Sequence, residues 1–220
     1  QMATNIDLDF NVPEAVVEFC KSNHMDLVII GPEDPLIDGL ADHLHKAGIN
    51  VFGPGAMGAR LEGDKEFSKE VLASAGVPTA RYQAFSSSHA ALKHLDTMNL
   101  PVVIKACGAA QGKGVAVCSN SSEAEEFIKA CLDDQQFGGA GLRILMEECL
   151  FGPELSILIV TDGQDYCLLP PSRDHKRIGE GNTGPNTGGM GAFAPVKLEP
   201  AMYTEIDARI VLPVLAELRR

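Results

Sequence analysis

Hydrophobic residues in the first quarter of the chain alternate between a helical and an extended period. Residues 13–24 and 36–48 carry apolar side chains at helical spacing, and Gly48 closes the second segment. Residues 26–31 and 50–53 are short apolar runs, each followed by a proline. Strands joined through one helix by short connections form right-handed parallel βαβ units. The pattern therefore predicts an α/β domain whose sheet is covered on both faces.

The sequence after Gly53–Pro54 predicts a longer series of elements. Residues 63–80 have the pattern of one amphipathic helix, which Gly76 and Pro78 end. A compact module is predicted next, with strands over 81–85, 101–105, 114–118 and 142–148 and helices over 87–98 and 121–132.

Short local signals refine this module and the segment after it. Ser122 and Glu125 have the spacing of a capping box at the start of the last predicted helix. Asp162–Gly163 separates two apolar runs within residues 154–171, which is a strong signal for a β-hairpin.

Charge and cysteine content narrow the class of protein. The formal net charge of -12 argues against a surface that binds nucleic acid or an anionic membrane. The six cysteines form no CxxC pair and lie mostly in apolar runs, as reduced, buried thiols do. The apolar runs are too short to cross a bilayer. We therefore expect a cytoplasmic protein.

The stretch "PVVIKACGAAQGKGVAV", residues 101–117, places a glycine-rich loop with two lysines between two predicted strands. Backbone N–H groups of such loops bind anions, and lysines at the rim neutralise phosphate. It is not a Walker A loop: three residues, not four, separate Gly108 from Gly112, and Gly114 stands where Ser or Thr is needed. Two interpretations remain, a lid over a triphosphate and a surface hairpin with solvated lysines.

Two further segments have features that ligand sites show. Residues 179–184, "GEGNTG", match G-x-G-x-x-G, but they follow a polar segment and no helix pattern comes after them. This excludes a Rossmann fingerprint, which needs a strand, a tight turn and a helix in that order. Glu33 comes just after the carboxyl end of a predicted parallel strand, where α/β sheets bind ligands; a solvated Glu33 is an equal alternative.

Motifs along the whole chain carry a family resemblance. Lys105, the loop "GAAQGKG" and "LMEECLFGPELS" resemble the ATP-grasp enzymes, in which two lobes clamp ATP. The motifs "GPEDPL", "FGPGAMGARLEGDKEFSKE", "GVPTA", "DHKR" and "GPNTGGMGAFAP" are similar to the phosphoribosylamine–glycine ligase (glycinamide ribonucleotide synthetase) family and follow its order.

The resemblance implies a fold and a reaction. Residues 1–61 would be the end of a parallel βαβ N-terminal domain, and residues 62–220 a partial ATP-grasp domain with a glycine-loop lid over about 80–150. The implied enzyme of purine biosynthesis joins glycine to 5-phosphoribosylamine. ATP first phosphorylates the glycine carboxylate, and the amine then displaces phosphate to give glycinamide ribonucleotide.

The resemblance also implies roles for individual residues. The implied ATP-binding residues are Lys65, Lys105, Gly112, Lys113, Gly114, Glu147, Glu148, Leu150 and Glu154. The implied catalytic residues are Asp174, His175, Lys176 and Arg177. The implied substrate-binding residues are Glu33, Asn186, Thr187, Gly188, Gly189 and Met190. Without the resemblance, the "DHKR" segment has a charged surface turn as its alternative.

Departures from the family pattern set limits on these implications. Cys107, Ala109 and Gln111 differ from the usual residues of the loop, whereas both lysines are present. The resemblance covers roughly half of the family's enzyme, and the Glu and Asn that hold Mg²⁺ or Mn²⁺ belong to the other half. We therefore expect no metal ligands in this chain and no complete active site.

Three alternatives stay open at this point. The parent protein is a stand-alone ligase or is fused to other purine-pathway domains. The chemistry is that of this family or of another ATP-grasp carboxylate–amine ligase. The chain takes part in catalysis or is a non-catalytic nucleotide-binding fragment.

Overall fold

The computed structural model describes residues 3–108, 110, 114–181, 183–187 and 191–220. It divides into two compact units, Gln1–Ser68 and Lys69–Arg220. Within the described residues, no helix combines the length and the apolar character that spanning a membrane requires.

The first unit contains the predicted parallel βαβ arrangement. Strands β1 and β2 pair in parallel, with Val28 opposite Val51 and Ile29 opposite Phe52. The elements are α1 Pro13–Ser22, β1 Val28–Ile29, α2 Glu33–Ile37, α3 Leu40–Lys46, β2 Val51–Phe52 and α4 Ala56–Gly63. Buried residues of α1 and α3 form the core, because each helix turns one apolar face inward. The predicted fold class is confirmed here.

The single helix predicted over 36–48 is wrong. Helix α2 ends at Ile37 and α3 begins at Leu40, because Gly39 adopts a left-handed backbone with φ of 85°. Such a conformation cannot continue a right-handed helix and is easily reached only by glycine. Gly48 lies just past the end of α3, with φ of 79°, as the sequence predicted.

Helix α5, Lys65–Ser74, contains the division between the units, and a four-stranded sheet follows it. The strand order is β3-β6-β4-β5, and every neighbouring pair is antiparallel. The elements are β3 Tyr82–Phe85, α6 Ser88–Leu95, β4 Val102–Ala106, β5 Val115–Cys118, α7 Ser121–Leu132 and β6 Ile144–Glu148. The predicted module is confirmed: α7 has the predicted bounds, β4 is shifted by one residue, and the other elements are shorter than predicted.

One face of this sheet, covered by two helices, forms the core of the second unit. Val102, Ile104 and Ala106 of β4 are buried, and alternation turns the side chains of Val103 and Lys105 to the opposite face. Helices α6 and α7 cover the first face and close an apolar cluster around it. Lys105 therefore lies on the face that these helices leave uncovered.

The capping box predicted at Ser122 and Glu125 is wrong. Helix α7 begins two residues earlier than that pair requires, with Asn120 as its N-cap. The Glu123 N–H donates to Asn120 Oδ1 at 3.0 Å, and the Ser119 N–H donates to Glu123 Oε2 at 2.8 Å. Asn is as good an N-cap as Ser. Asn120 therefore caps the helix, because the Glu123 carboxylate also accepts a backbone N–H in return, much as in a capping box.

The rest of the second unit is built from short antiparallel pairs and two helices. The predicted hairpin at Asp162–Gly163 is confirmed: Asp162 Oδ1 accepts N–H bonds from Gln164 and Asp165, and Gly163 has φ of 91°. The elements are β7 Ile159–Thr161, β8 Tyr166–Leu168, β9 Arg173–Asp174, β10 Arg177–Gly179, β11 Thr183–Asn186, β12 Ala192–Phe193, α8 Pro200–Ile206 and α9 Leu212–Leu218. Strands β10 and β11 form a hairpin across "GEGNTG", which confirms that this segment is no Rossmann turn.

Candidate functional site

Two lysines and one glutamate meet on the side of the sheet that carries Lys105. Glu147 of β6 pairs with Val103, so its side chain shares the face of Lys105. The Lys105 Nζ lies 3.1 Å from both Glu147 Oε1 and Oε2. The Nζ of Lys69, on α5, lies 3.0 Å from Oε2 of the same carboxylate. We call these three residues the ionic cluster.

The members of the ionic cluster differ in exposure. Glu147 is 3% exposed and Lys69 is 8% exposed, whereas the Lys105 side chain is 29% exposed. Lys69 also donates to Thr79 Oγ1 at 2.8 Å and to the Ala80 carbonyl at 3.2 Å. A buried charge needs such partners, because removing an unpaired ion from water costs roughly several kcal/mol. The cluster carries a formal charge of about +1 at neutral pH, with Lys105 at its exposed side.

Lys69 was not among the predicted site residues. The only sequence signal for it is its place one helical turn after Lys65 on α5. That spacing gives no hint of a buried carboxylate partner on a distant strand.

The root of the glycine loop is fixed by backbone hydrogen bonds. The N–H of Ala106 donates to the Gly114 carbonyl at 2.7 Å, and the N–H of Gly108 donates to the Ala140 carbonyl at 3.1 Å. A Cβ on Gly108 would lie 2.7 Å from Ala140 Cα, and a Cβ on Gly114 would lie 2.7 Å from Ala110 Cβ. Both positions therefore need glycine for close packing. Gly112 and Lys113 lie outside the described residues.

The neighbouring acid, Glu148, has a different environment from Glu147. Its carboxylate accepts the Arg81 N–H at 2.9 Å and the Arg81 Nε–H at 2.8 Å, and Arg81 Nη2 is 2.7 Å away. These bonds from the Arg81 side chain and backbone lower the pKa of Glu148. Leu150, just past β6, is 68% exposed. A cavity of about 510 Å³ opens beside Glu148, but Met146 and Met98 place it on the helix-covered side.

The motifs "DHKR" and "GPNTGGMGAFAP" are brought together by strand pairing. Strand β9 pairs with β12, and β10 pairs with β11. The His175 N–H donates to the Gly191 carbonyl at 2.9 Å. The Thr187 N–H and hydroxyl donate to the Lys176 carbonyl at 2.7 and 3.0 Å. Arg177 donates to the Gly184 carbonyl at 3.1 Å.

Glu154 and Lys176, which the sequence assigned to different ligands, form an ion pair. The Lys176 Nζ is 2.7 Å from Glu154 Oε2, and the hydrogen bond that Lys176 donates to Glu154 raises the pKa of Lys176. The Arg173 Nε–H donates to the Glu154 carbonyl at 2.7 Å. The segment after β6 is thereby tied to the "DHKR" segment.

The remaining predicted residues have separate positions. Glu33 begins α2 and Lys65 begins α5, both in the first unit. Asn186 is the last residue of β11. Gly188, Gly189 and Met190 lie outside the described residues. Across the part of the chain that the structure describes, no three His, Cys, Asp or Glu side chains are grouped as a metal site would require.

An antiparallel sheet with two helices on one face and Lys105 on the other is the arrangement of a partial ATP-grasp domain. The chain combines this partial ATP-grasp domain with a parallel α/β unit. A profile described as "Phosphoribosylglycinamide synthetase, ATP-grasp (A) domain" matches residues 63–220, and the profile of the N domain matches residues 1–62. The chain belongs to the phosphoribosylglycinamide synthetase family.

Individual relatives agree with this assignment. The chain is 45% identical over 225 aligned residues to a phosphoribosylamine–glycine ligase of Rhodopirellula baltica, covering 99% of this chain and 52% of that protein. It is 45% identical over 200 residues to the trifunctional purine biosynthetic protein adenosine-3 of Drosophila melanogaster, covering 90% of this chain and 15% of that protein.

A solved structure gives the same picture. The crystal structure of phosphoribosylamine–glycine ligase from Thermotoga maritima has a TM-score of 0.71 and 34% identity, covering 76% of this chain and 43% of that chain. The chain thus spans about half the length of the Rhodopirellula ligase that it matches.

Proposed function

We propose that this chain supplies the ATP-binding part of a phosphoribosylamine–glycine ligase, which joins glycine to 5-phosphoribosylamine at the expense of ATP. The observation that carries the proposal is the position of Lys105. Its side chain is part-exposed on the sheet face opposite α6 and α7, directly before the anchored glycine loop. A compact, part-exposed cation is well suited to the phosphates of a nucleotide.

The ATP-binding roles follow from this position. Lys105 contacts the α- and β-phosphates, and Gly112, Lys113 and Gly114 cover the β/γ end, with Lys65 assigned to the same phosphates. The backbone of Glu148 and Leu150 binds the purine edge. Glu154 accepts from the ribose hydroxyls, which requires it to exchange the ion pair with Lys176 for the sugar.

The chemistry proceeds in two displacements. A glycine carboxylate oxygen attacks the γ-phosphorus, the bond to ADP breaks, and glycyl phosphate forms. The amine nitrogen of phosphoribosylamine then attacks the acyl carbon, phosphate leaves, and the amine loses a proton. No protein nucleophile is needed, because the barrier falls through positioning, charge neutralisation and exclusion of water.

The polar segment around β9 to β12 is assigned to the substrates. Lys176 and Arg177 bind phosphate, Asp174 orients them, and His175 positions or deprotonates the amine. Asn186, Thr187, Gly188, Gly189, Met190 and Glu33 complete the proposed substrate-binding set. The backbone bonds between "DHKR" and the Gly-rich segment support this set, because they hold both segments next to each other.

A divalent metal ion, Mg²⁺ or Mn²⁺, would neutralise part of the triphosphate charge when it is bound with ATP. The described residues do not form a group that fits such an ion, and no step above is assigned to it. The proposal includes a cytoplasmic location, and it leaves open whether the parent is a stand-alone ligase or is fused to other purine-pathway domains.

The test is ATP binding by the 220-residue chain, measured by isothermal titration calorimetry with magnesium. We expect Lys105→Glu to weaken ATP binding at least about tenfold, because it replaces an attraction to phosphate by a repulsion. Lys129→Glu is the matched control: Lys129 lies on the exposed face of α7, and its Nζ is 3.8 Å from Glu125 Oε2. Equal ATP affinity of the Lys105→Glu variant and the unaltered chain would refute the proposed site.

ADP release distinguishes the ligase from its alternatives. We expect no release that depends on both glycine and freshly generated phosphoribosylamine from this chain alone, because the chain spans half of its stand-alone relative. Release that needs both substrates would show a complete active site, and release with other carboxylates would indicate a different ATP-grasp ligase.

A further inference from the structure

Two cations share one buried carboxylate in the ionic cluster. Lys69 and Lys105 both lie within 3.1 Å of Glu147, although one cation is sufficient to neutralise one carboxylate. One of the two lysines is therefore able to leave without stranding a buried charge, whose cost would otherwise oppose the movement.

The surroundings show which lysine stays. An ammonium group has three N–H donors, and those of Lys69 have three acceptors: Thr79, Ala80 and Glu147. Lys69 is also almost completely buried, and its Nζ lies 5.4 Å from the Tyr82 ring centre. It is therefore held from several sides and shielded from solvent.

Lys105 is held less firmly. Its side chain is more exposed than that of Lys69, and its Nζ is shared between the two oxygens of Glu147. Within the described part of the chain, Glu147 Oε1 receives no well-directed hydrogen bond, so on this oxygen Lys105 contributes mainly charge.

We propose that Lys69 is a positioning residue which keeps Glu147 neutralised, so that Lys105 can exchange that carboxylate for a bound phosphate. The inference rests on the proposed contact between Lys105 and ATP. Glu147 acts as a holder of Lys105 in the free protein. When phosphate arrives, Lys105 moves to it, and Glu147 keeps Lys69 as its partner.

Removal of Lys69 should bind Lys105 more tightly to Glu147, whereas a general loosening of the fold would make Lys105 more accessible. With Lys69 replaced by an apolar side chain, Lys105 is the remaining neutralising cation of Glu147 within the cluster. It is then bound more tightly to Glu147, and its movement to phosphate leaves a buried carboxylate unpaired. The variant should therefore have a less accessible Lys105 and a lower affinity for nucleotide.

The experiment compares the 220-residue chain with Lys69→Met and with the double variant Lys69→Met/Glu147→Gln. Amine acylation of Lys105, followed by mass spectrometry, measures how readily its ammonium group is released, without any nucleotide. Titration with ATP measures the second consequence. Lys129→Met, on the exposed face of α7, is the matched control for loss of one lysine from an ion pair.

We expect Lys69→Met to slow acylation of Lys105 several-fold and to weaken ATP binding by about tenfold or more, because movement of Lys105 then leaves a buried carboxylate unpaired. The double variant should restore ATP affinity to within about threefold, because no buried charge is left unpaired, and should acylate Lys105 faster than the unaltered chain does. Lys129→Met should leave both readouts unchanged.

Other results overturn the inference. Unchanged or faster acylation of Lys105 in a folded Lys69→Met variant would show that Lys69 does not act through Glu147. ATP binding as weak in the double variant as in the single one would show that Lys69 contacts the phosphates itself. If the acylation rates change as expected but the unaltered chain does not bind ATP, the proposed nucleotide site fails and the pairing of the three residues stands.

If circular dichroism shows that Lys69→Met does not fold, a second comparison tests the proposal. Glu147→Gln and Lys69→Met/Glu147→Gln both lack the carboxylate, so Lys105 should be acylated at the same rate in the two variants. Different rates would mean that Lys69 acts on Lys105 by another route, which contradicts the proposal.

Discussion

Two adjacent acids show how much the alternation of a strand decides at the scale of a residue. Glu147 and Glu148 are consecutive in β6, and their side chains point to opposite faces. Glu147 is buried between two lysines, whereas Glu148 pairs with Arg81 at the strand end. The same residue type thus serves a buried cluster in one place and a surface pair in the next.

The Glu148 pair leads to a prediction about pH. Arg81 lowers the pKa of Glu148 in the folded protein below its ordinary value of 4.5. A lowered pKa contributes stability that is present above the ordinary value and is lost as the pH falls through the folded value. The difference in thermal unfolding midpoint between the chain and Glu148→Gln should therefore be largest near neutral pH and vanish in strong acid.

Circular dichroism melts across this pH range measure that difference. Glu125→Gln removes an exposed carboxylate whose partner Lys129 is 3.8 Å away, and it should give a smaller difference at neutral pH. A Glu148→Gln difference that does not depend on pH would contradict the assigned cause.

At the scale of an element, the structure differs from the sequence-based prediction mainly where helices begin and end. The sequence predicted a helix over 121–132, and α7 has these bounds. The predicted cap was wrong, because several Ser, Asn and Glu residues near the start offer competing caps. Asn120 prevails since it accepts from Glu123, whose carboxylate in turn accepts the Ser119 N–H. A break at Gly39 likewise divides one predicted helix into two.

The observed cap is tested by a pair of substitutions. We expect Asn120→Ala to lower the free energy of unfolding by about 1 kcal/mol, because it removes the acceptor for a helix N–H. Ser122→Ala, at the position first predicted for the cap, should change it by less than about 0.5 kcal/mol, as is usual for surface sites. Urea unfolding followed by circular dichroism measures both, and a larger effect at Ser122 would restore the original prediction.

Cysteines report on the molecule as a whole. The expectation of buried thiols is met by Cys20, Cys107, Cys118 and Cys131, whereas Cys149 is half-buried and Cys167 is exposed. Burial raises the pKa of Cys118 and of Cys131 to about 11. These two thiols lie in the core between the sheet and its helices. They are protected from alkylation because reagents cannot reach them and because only a small fraction of each thiol is ionised.

Thiol labelling therefore measures opening of this core. At pH 8 we expect Cys167 to react first, and Cys118 and Cys131 to react only at the rate of unfolding, since their thiolate fraction is on the order of one in a thousand. Peptide mass spectrometry after timed alkylation assigns the sites. Labelling of Cys118 or Cys131 as fast as that of Cys167 would show that the core opens without unfolding.

The sequence by itself determined the order and type of most elements up to β8, the hairpin at Asp162–Gly163 and the family, because periodicity, turn residues and contiguous motifs are local properties of a chain. Only the tertiary structure decided the partners of the charged side chains: Lys69 and Lys105 with Glu147, and Lys176 with Glu154. These residues come from elements far apart in sequence, and no spacing rule links them. Their pairing depends on strand order and register, which the packing of α6 and α7 on the sheet supports. Burial then makes the pairing obligatory, since a charge removed from water must find its counter-charge within the fold.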